Sequence, residues 1–177
     1  TTRATIVSGA PTASMMSIVS ERDRHLFMLG TETTIANSQT QDKMFIRFSD
    51  QEDISTYTPT SINTAGTLRL DSGTKIVGAV PGKDYILILT NTSAYIVQFV
   101  GPPFTFSIRQ VGSNCGAIGQ NSIRYVDGKV YWMGIAGGFF LYDGTVKSLP
   151  CLVEDFVFTN KGDNLGINYE SGELVYA

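Results

Sequence analysis

A strand–turn–strand unit recurs along this chain and constrains its fold more than any other sequence feature. In each unit a short apolar segment leads into a polar turn, and a second apolar segment follows. The second segments begin near His25, Tyr85, Lys129 and Glu173, so the last two steps are both 44 residues long. Steps of roughly 40–50 residues are typical of β-propeller blades. The sequence therefore predicts an all-β, propeller-like array of four-stranded antiparallel blades.

Turn residues and apolar runs locate the hairpins. Asp127-Gly128 lies between two apolar segments and favours a type I′ turn, which needs positive φ at both central positions. Asp143-Gly144 repeats this signal. The segment 85–89 is continuously apolar, as expected of a strand buried on both faces. Only segment 151–158 could form a helical turn, because no long 3.6-residue periodicity occurs elsewhere.

These signals predict two complete blades with a partial blade on each side, within a single propeller domain or a fragment of one that spans 1–177. The strands of the complete blades are 75–80, 85–90, 94–99 and 104–111, then 122–126, 129–135, 139–142 and 146–149. The partial blades are 16–19 with 25–29, and 165–169 with 173–176.

The step between the first two units is 60 residues and requires an insertion. Segment 51–71 supplies it, because this stretch is polar and rich in turn residues. A loop of about 20 residues inside a compact domain is usually functional or disordered. We therefore predict an inserted interaction loop between blades, with candidate contact residues Ile54, Tyr57, Pro59, Asn63 and Leu68.

Aromatic residues concentrate in the two complete blades. We expect most of them to pack between sheets and some to face a neighbouring subunit, because Tyr and Trp are frequent interface anchors. A carbohydrate-stacking platform is a third alternative. Tyr131 and Trp132 point to opposite faces of their strand. The candidate packing anchors are Tyr95, Phe99, Phe104, Tyr131, Trp132 and Tyr142.

The composition disfavours several function classes. Charged residues make up 16% of the chain and the net charge is −3, which is unlike the basic footprint of a nucleic-acid-binding protein. No apolar stretch approaches the roughly 20 residues of a membrane span.

Candidate catalytic and metal-binding residues are few. The only histidine, His25, opens a strand after a turn and lacks the pattern of a catalytic triad, so a surface or turn position is expected for it. Cys115 and Cys151 are widely separated in sequence, which argues against a zinc site. The carboxylates Asp50, Glu52, Asp53, Glu154 and Asp155 are expected to be solvated groups beside turns or near segment 151–158, and not the paired acids of a propeller-type hydrolase. Calcium bound by the first three is an alternative, although the spacing of an EF-hand loop is absent. We predict a non-enzyme with no catalytic residue, cofactor or metal.

Several motifs resemble those of a known group of phage proteins. They are SDQE at 49–52, YTPT at 57–60, NTAG at 63–66, SAY at 93–95, QFVGPPF at 98–104, VYWMG at 130–134, FLYDG at 140–144 and LPC at 149–151. Together they are similar to motifs of bacteriophage virion structural proteins of the tail nozzle, tail tubular or packaged-DNA stabilisation type. The similarity covers roughly 20–158, which is most of the chain.

The resemblance implies a structural propeller of the virion that is assembled in the host cytoplasm. Its copies would form a homo-oligomeric ring of about six subunits, closed by rotational symmetry. Such a ring would surround or plug the DNA exit channel and contact a portal or adaptor protein, with proximity to DNA that does not depend on base sequence. The alternative is a carbohydrate- or receptor-binding propeller of a phage adsorption apparatus, which would repeat a polar and aromatic pocket in each blade.

Overall fold

In a computed structural model of the chain, which describes residues 7–160, the strands form three four-stranded antiparallel sheets. The first sheet contains β1 (Met16–Ser20), β2 (His25–Leu29), β3 (Phe45–Phe48) and β4 (Gly66–Arg69). The second contains β5 (Ile76–Pro81), β6 (Ile86–Thr90), β7 (Ser93–Gly101) and β8 (Thr105–Ser113). The third contains β9 (Ile123–Val126), β10 (Lys129–Met133), β11 (Phe139–Tyr142) and β12 (Val146–Leu149). Short 3-10 helices lie at Ser38–Thr40 and Gln120–Ser122, and α1 spans Glu154–Asn160.

Each sheet is a meander, because its strands lie side by side in chain order. The all-β prediction is confirmed in this coarse sense. The predicted strands of the second and third sheets lie within about two residues of the observed ones. The helical turn expected at 151–158 is observed as α1. The partial blade predicted at 165–176 lies outside the described residues.

The first sheet differs from the prediction, which assigned it only two strands. β3 and β4 complete it, with Ile46 paired to Leu68 and Phe48 paired to Gly66. Gly66 is required there, because a Cβ at this position would lie 2.2 Å from Cζ of Phe48. β4 lies inside the segment predicted as an inserted loop, so that loop consists of residues 51–65.

The contacts divide the described chain into two compact units. Unit 1 consists of residues 7–71 and 99–107 and contains the first sheet. Unit 2 consists of residues 72–98 and 108–160, which include the third sheet and most of the second. The tip of the β7–β8 hairpin is part of unit 1.

The core of unit 2 lies between its two sheets. The second sheet contributes Leu87, Leu89, Ala94 and Ile96, and the third contributes Ile123, Val130, Trp132 and Tyr142. All eight side chains are at most 4% exposed. β9 and β10 thus cover one face of β6 and β7 with apolar side chains, which is the main source of stability for two packed sheets.

The core of unit 1 is aromatic. The Phe106 ring meets the rings of Phe27 and Phe48 nearly at right angles, with centroids 4.8 and 4.9 Å apart. Edge-to-face contacts of this kind contribute about 0.5–1.5 kcal/mol beyond the area that they bury. The hairpin tip that carries Phe106 is therefore fixed within this unit.

Candidate interaction surfaces

His25, at the start of β2, is buried in unit 1 and only 1% exposed. The expectation of a surface or turn histidine is therefore wrong. Its ring packs against Phe48, Phe99 and Phe106, with centroids 5.0–6.3 Å away. Nδ1 lies 2.6 Å from the carbonyl oxygen of Asp23, and a carbonyl only accepts hydrogen bonds. Nδ1 therefore carries a proton.

The other ring nitrogen of His25 joins the base of the 51–65 loop to the first sheet. Nε2 lies 3.0 Å from Oγ1 of Thr64, and that hydroxyl lies 2.5 Å from Oδ1 of Asp50. Burial lowers the pKa of His25, although the Asp23 carbonyl and the Asp23 and Asp50 carboxylates oppose this change. Burial raises the pKa of Asp50, but hydrogen bonds from Thr64 and the Gln51 N–H outweigh it, so the pKa lies below its usual value. The loop base is thus held by a neutral imidazole and an ionised carboxylate.

A second buried polar cluster fixes the middle of the same loop. Arg47 of β3 donates hydrogen bonds to the carbonyl oxygens of Glu32, Thr33 and Tyr57. The Glu32 carboxylate is fully buried and accepts hydrogen bonds from the Thr12 hydroxyl and N–H. Such bonds outweigh burial and lower the pKa of Glu32. A buried charged group that loses its hydrogen-bond partners is costly, so Tyr57, whose carbonyl accepts from Arg47, belongs to the structural part of the loop.

The five residues predicted as loop contacts fall into two groups. Ile54 is 54% exposed and Pro59 is exposed, as a contact residue would be. Tyr57 is 1% exposed, and Leu68 is a partly buried residue of β4. Asn63 holds the loop's own turn, because its side chain accepts from the Thr60 N–H and donates to the Thr58 carbonyl.

The exposed part of the loop includes an apolar residue that was not among the predicted contacts. Ile62 is 95% exposed. The apolar identity of Ile62 in a turn-rich segment was the available signal, because turns normally carry polar residues.

The tip of the β7–β8 hairpin is a second exposed apolar feature of unit 1. Phe104 is 77% exposed and Val100 is 55% exposed. Phe99 is 41% exposed, and its ring packs against Phe106 with centroids 5.5 Å apart. Phe99 thus connects the tip to the aromatic core, whereas Phe104 is free to contact another molecule.

Three of the predicted packing anchors lie in the interior of unit 2. Trp132 is 2% exposed, donates a hydrogen bond of 2.7 Å from Nε1 to the Cys115 carbonyl and stacks on Phe140. Tyr95 is 3% exposed, and its hydroxyl accepts from the Ser72 N–H. Tyr142 is 4% exposed and packs edge-on against Tyr85. Burial raises the pKa of Tyr85 to about 12.

The sixth anchor, Tyr131, lies on the opposite side of β10 from Trp132 and lines a groove. This groove, called the third-sheet groove below, has a volume of about 460 Å³. It is bounded mainly by apolar side chains, and the residues around it are Ser122, Arg124, Tyr131, Trp132, Met133, Phe139, Phe140, Leu149, Pro150 and Cys151. Met133, Phe139 and Leu149 were not among the predicted anchors, although strand alternation places them on the face of Tyr131.

Reactive groups are scarce within the described residues. Between residues 7 and 160, no cluster of three or more His, Cys, Asp or Glu side chains could hold a metal ion. Cys115 is buried, and burial raises the pKa of its thiol, which makes it a poor nucleophile. Within the same range, no helix has the length and apolar character needed to cross a bilayer.

Neither a protein-family model nor a curated protein sequence matches the chain significantly.

Proposed function

We propose that this chain is a non-enzymatic structural component of a phage tail or head-to-tail connector. Its successive four-stranded sheets are blades of a propeller, and copies of the protein form a ring around the DNA exit channel. The meander order of each sheet supports the propeller, because consecutive four-stranded meanders are the building blocks of that fold. The motif resemblance described above supports the virion role.

The observation that carries the assembly part of the proposal is the exposure of apolar side chains at two turns of unit 1. Ile62 in the 51–65 loop is 95% exposed, and Phe104 at the β7–β8 tip is 77% exposed. Single exposed apolar residues are common on protein surfaces. The turn of Ile62 is held by hydrogen bonds of Asn63 and Thr64, and Phe104 lies two residues before the buried Phe106, so each is a pre-organised anchor for a partner subunit.

The native mass of the purified protein tests assembly directly. We expect a closed ring of about six copies by native mass spectrometry, with a sharp distribution of subunit number. A protein that stays monomeric at every concentration would contradict ring formation. Glycan and cell-surface binding would then be measured, because the receptor-binding alternative does not need a ring.

Two substitutions test the anchors. We expect Ile62→Ser and Phe104→Ser each to weaken assembly at least about tenfold, the effect of losing a buried apolar anchor at an interface. Val126→Ser is the matched control, because Val126 is 50% exposed at the end of β9 in unit 2. Far-UV circular dichroism should be unchanged in all three variants. Assembly that survives both anchor substitutions would refute their role.

A further inference from the structure

The third-sheet groove is an apolar hollow whose wall is formed by neighbouring strands of one sheet. Met133 pairs with Phe139, and Phe139 pairs with Leu149, so these side chains form a row across β10, β11 and β12. Tyr131 lies two residues before Met133 and on the same face of β10. Tyr131, Phe139 and Leu149 are partly exposed. The described residues therefore leave an apolar surface open to a partner.

The groove presents little charge to an occupant. Among the described residues around it, Arg124 carries the only charge. Arg124 pairs with Tyr131 across β9 and β10, and its guanidinium donates a hydrogen bond of 2.8 Å to the Ile123 carbonyl. Because Arg124 is an exposed residue, its head group can stay in water at the rim. The groove thus suits an uncharged, apolar occupant, which leaves no buried charge unpaired.

The tip of the β7–β8 hairpin has the matching chemistry. Segment 98–108 contains no charged residue, Phe104 is 77% exposed, and Pro102 and Pro103 before it are also exposed. Proline has no N–H to leave unpaired on burial. The Phe104 carbonyl already accepts a hydrogen bond of 2.6 Å from the Phe106 N–H. The tip can therefore enter an apolar site with few unsatisfied backbone groups.

The other exposed anchor, Ile62, fits this groove less well. Its neighbours Ser61 and Asn63 are polar, and burying polar groups without new partners is costly. The aromatic wall favours the Phe104 ring, because aromatic rings attract each other edge to face and the Met133 sulfur adds a favourable contact with a ring. The groove volume of about 460 Å³ lies within the range of about 300–1,000 Å³ for pockets that enclose drug-sized molecules, so an aromatic side chain fits.

We propose that the third-sheet groove of one copy of the chain receives Phe104 of a second copy. The tip belongs to unit 1 and the groove to unit 2, so the two surfaces of this contact are different. Each copy then donates one tip and receives another, and such a head-to-tail contact generates a ring when its rotation closes. The inference rests on the assembly proposed above and names the surface that receives Phe104 in it.

Mixing two complementary variants of the full chain tests the contact. Phe104→Ser removes the tip anchor and keeps the groove, whereas Tyr131→Ser alters the groove and keeps the tip. We expect each variant alone to assemble at least about tenfold more weakly than the unsubstituted chain. In an equal mixture, the intact tip of one variant meets the intact groove of the other. Native mass spectrometry should then show a one-to-one heterodimer at concentrations where neither variant assembles alone.

Two further variants are the controls. Val126→Ser changes unit 2 outside the groove and should keep the mass of the unsubstituted assembly. The chain that carries both Phe104→Ser and Tyr131→Ser should assemble no more than about threefold more weakly than either single variant, because both substitutions remove the same contact. Far-UV circular dichroism checks that every variant is folded.

Alkylation of Cys151 gives a readout that needs no groove substitution, in case Tyr131→Ser does not fold. Cys151 lines the groove, so its reaction should slow as the unsubstituted protein assembles and should not slow in Phe104→Ser. A Cys151 reactivity that is unchanged by assembly would overturn the proposal, as would a mixture that forms no heterodimer. A ring that survives Tyr131→Ser would contradict this contact alone, whereas an unsubstituted chain that stays monomeric would contradict ring formation as well.

Discussion

At the scale of single residues, polar groups buried in unit 1 determine how the 51–65 loop is attached. His25 connects Asp23 with Thr64, and Arg47 connects the carbonyls of Glu32 and Tyr57. Sequence reasoning could not place these contacts, because a lone histidine after a turn is most often exposed and an arginine within a strand most often points to solvent. Their burial follows from long-range pairing of β2, β3 and β4.

His25 should make stability depend on pH. Its pKa is lowered by burial, so between that value and about 6.5 the folded protein binds fewer protons than the unfolded chain. The free energy of unfolding should therefore fall as the pH falls through this window. Because His25 is the only histidine in the chain, its titration can be followed by NMR without assignment.

Urea denaturation from about pH 7.5 to about pH 5 measures the change in stability. His25→Phe, which suits the surrounding phenylalanines, is the control and should remove the dependence in this window. Below it, stability should fall further as Glu32 and Asp50 are protonated, since both carboxyl groups have lowered pKa values. A His25 that titrates at or above about 6.5 would contradict the predicted direction.

At the scale of strands and turns, the sequence predicted the elements that have strong local signals. The apolar run of β6 is fully buried, and Asp127 and Gly128 have φ values of 48° and 82°, as a type I′ turn requires. At Asp143-Gly144 only the glycine has positive φ, so the similar sequence makes a different turn.

The strands and contacts that were not predicted depend on partners that are distant in the sequence. β3 carries Arg47 at a buried position, which breaks the apolar alternation, and β4 begins with a glycine. Tyr57 lies in a segment whose sequence predicts a polar loop, but its side chain is buried by tertiary contacts. Of the candidate contact positions, exposure therefore favours Ile54 and Pro59, and the structure adds Ile62.

Trp132 should be a main determinant of the packing between β6 and β10. Trp132→Ala should lower the free energy of unfolding by about 3–5 kcal/mol, because it leaves a cavity in a packed core. Trp132→Phe should cost less, because it keeps an aromatic ring in the core. Its remaining cost comes from the lost hydrogen bond between Nε1 and the Cys115 carbonyl. Urea denaturation of the three proteins measures both effects. A loss below about 1 kcal/mol for alanine would exclude a core role.

At the scale of the whole molecule, the ion pairs among the described residues are poorly suited to hold an assembly together. The chain has 13 basic and 16 acidic residues. Several of its ion pairs, such as Arg69–Asp42 and Lys147–Asp143, involve basic side chains that are more than half exposed. Exposed pairs of this kind contribute about 0–1 kcal/mol. The exposed apolar side chains at Ile62 and Phe104 are better suited to drive association.

The proposed ring should therefore be insensitive to salt. Raising the ionic strength from about 0.05 to about 1 M shortens the screening length to about 3 Å, which would weaken an interface held by charges. Apolar contacts do not weaken under these conditions.

We expect the native mass and the dissociation constant of the assembly to change less than about threefold across this range. The Ile62→Ser and Phe104→Ser proteins should assemble at least about tenfold more weakly at every salt concentration, whereas Val126→Ser should behave like the unsubstituted chain. Dissociation of the unsubstituted assembly by salt would assign the interface to charged residues and remove the reason for assigning Ile62 and Phe104 to it.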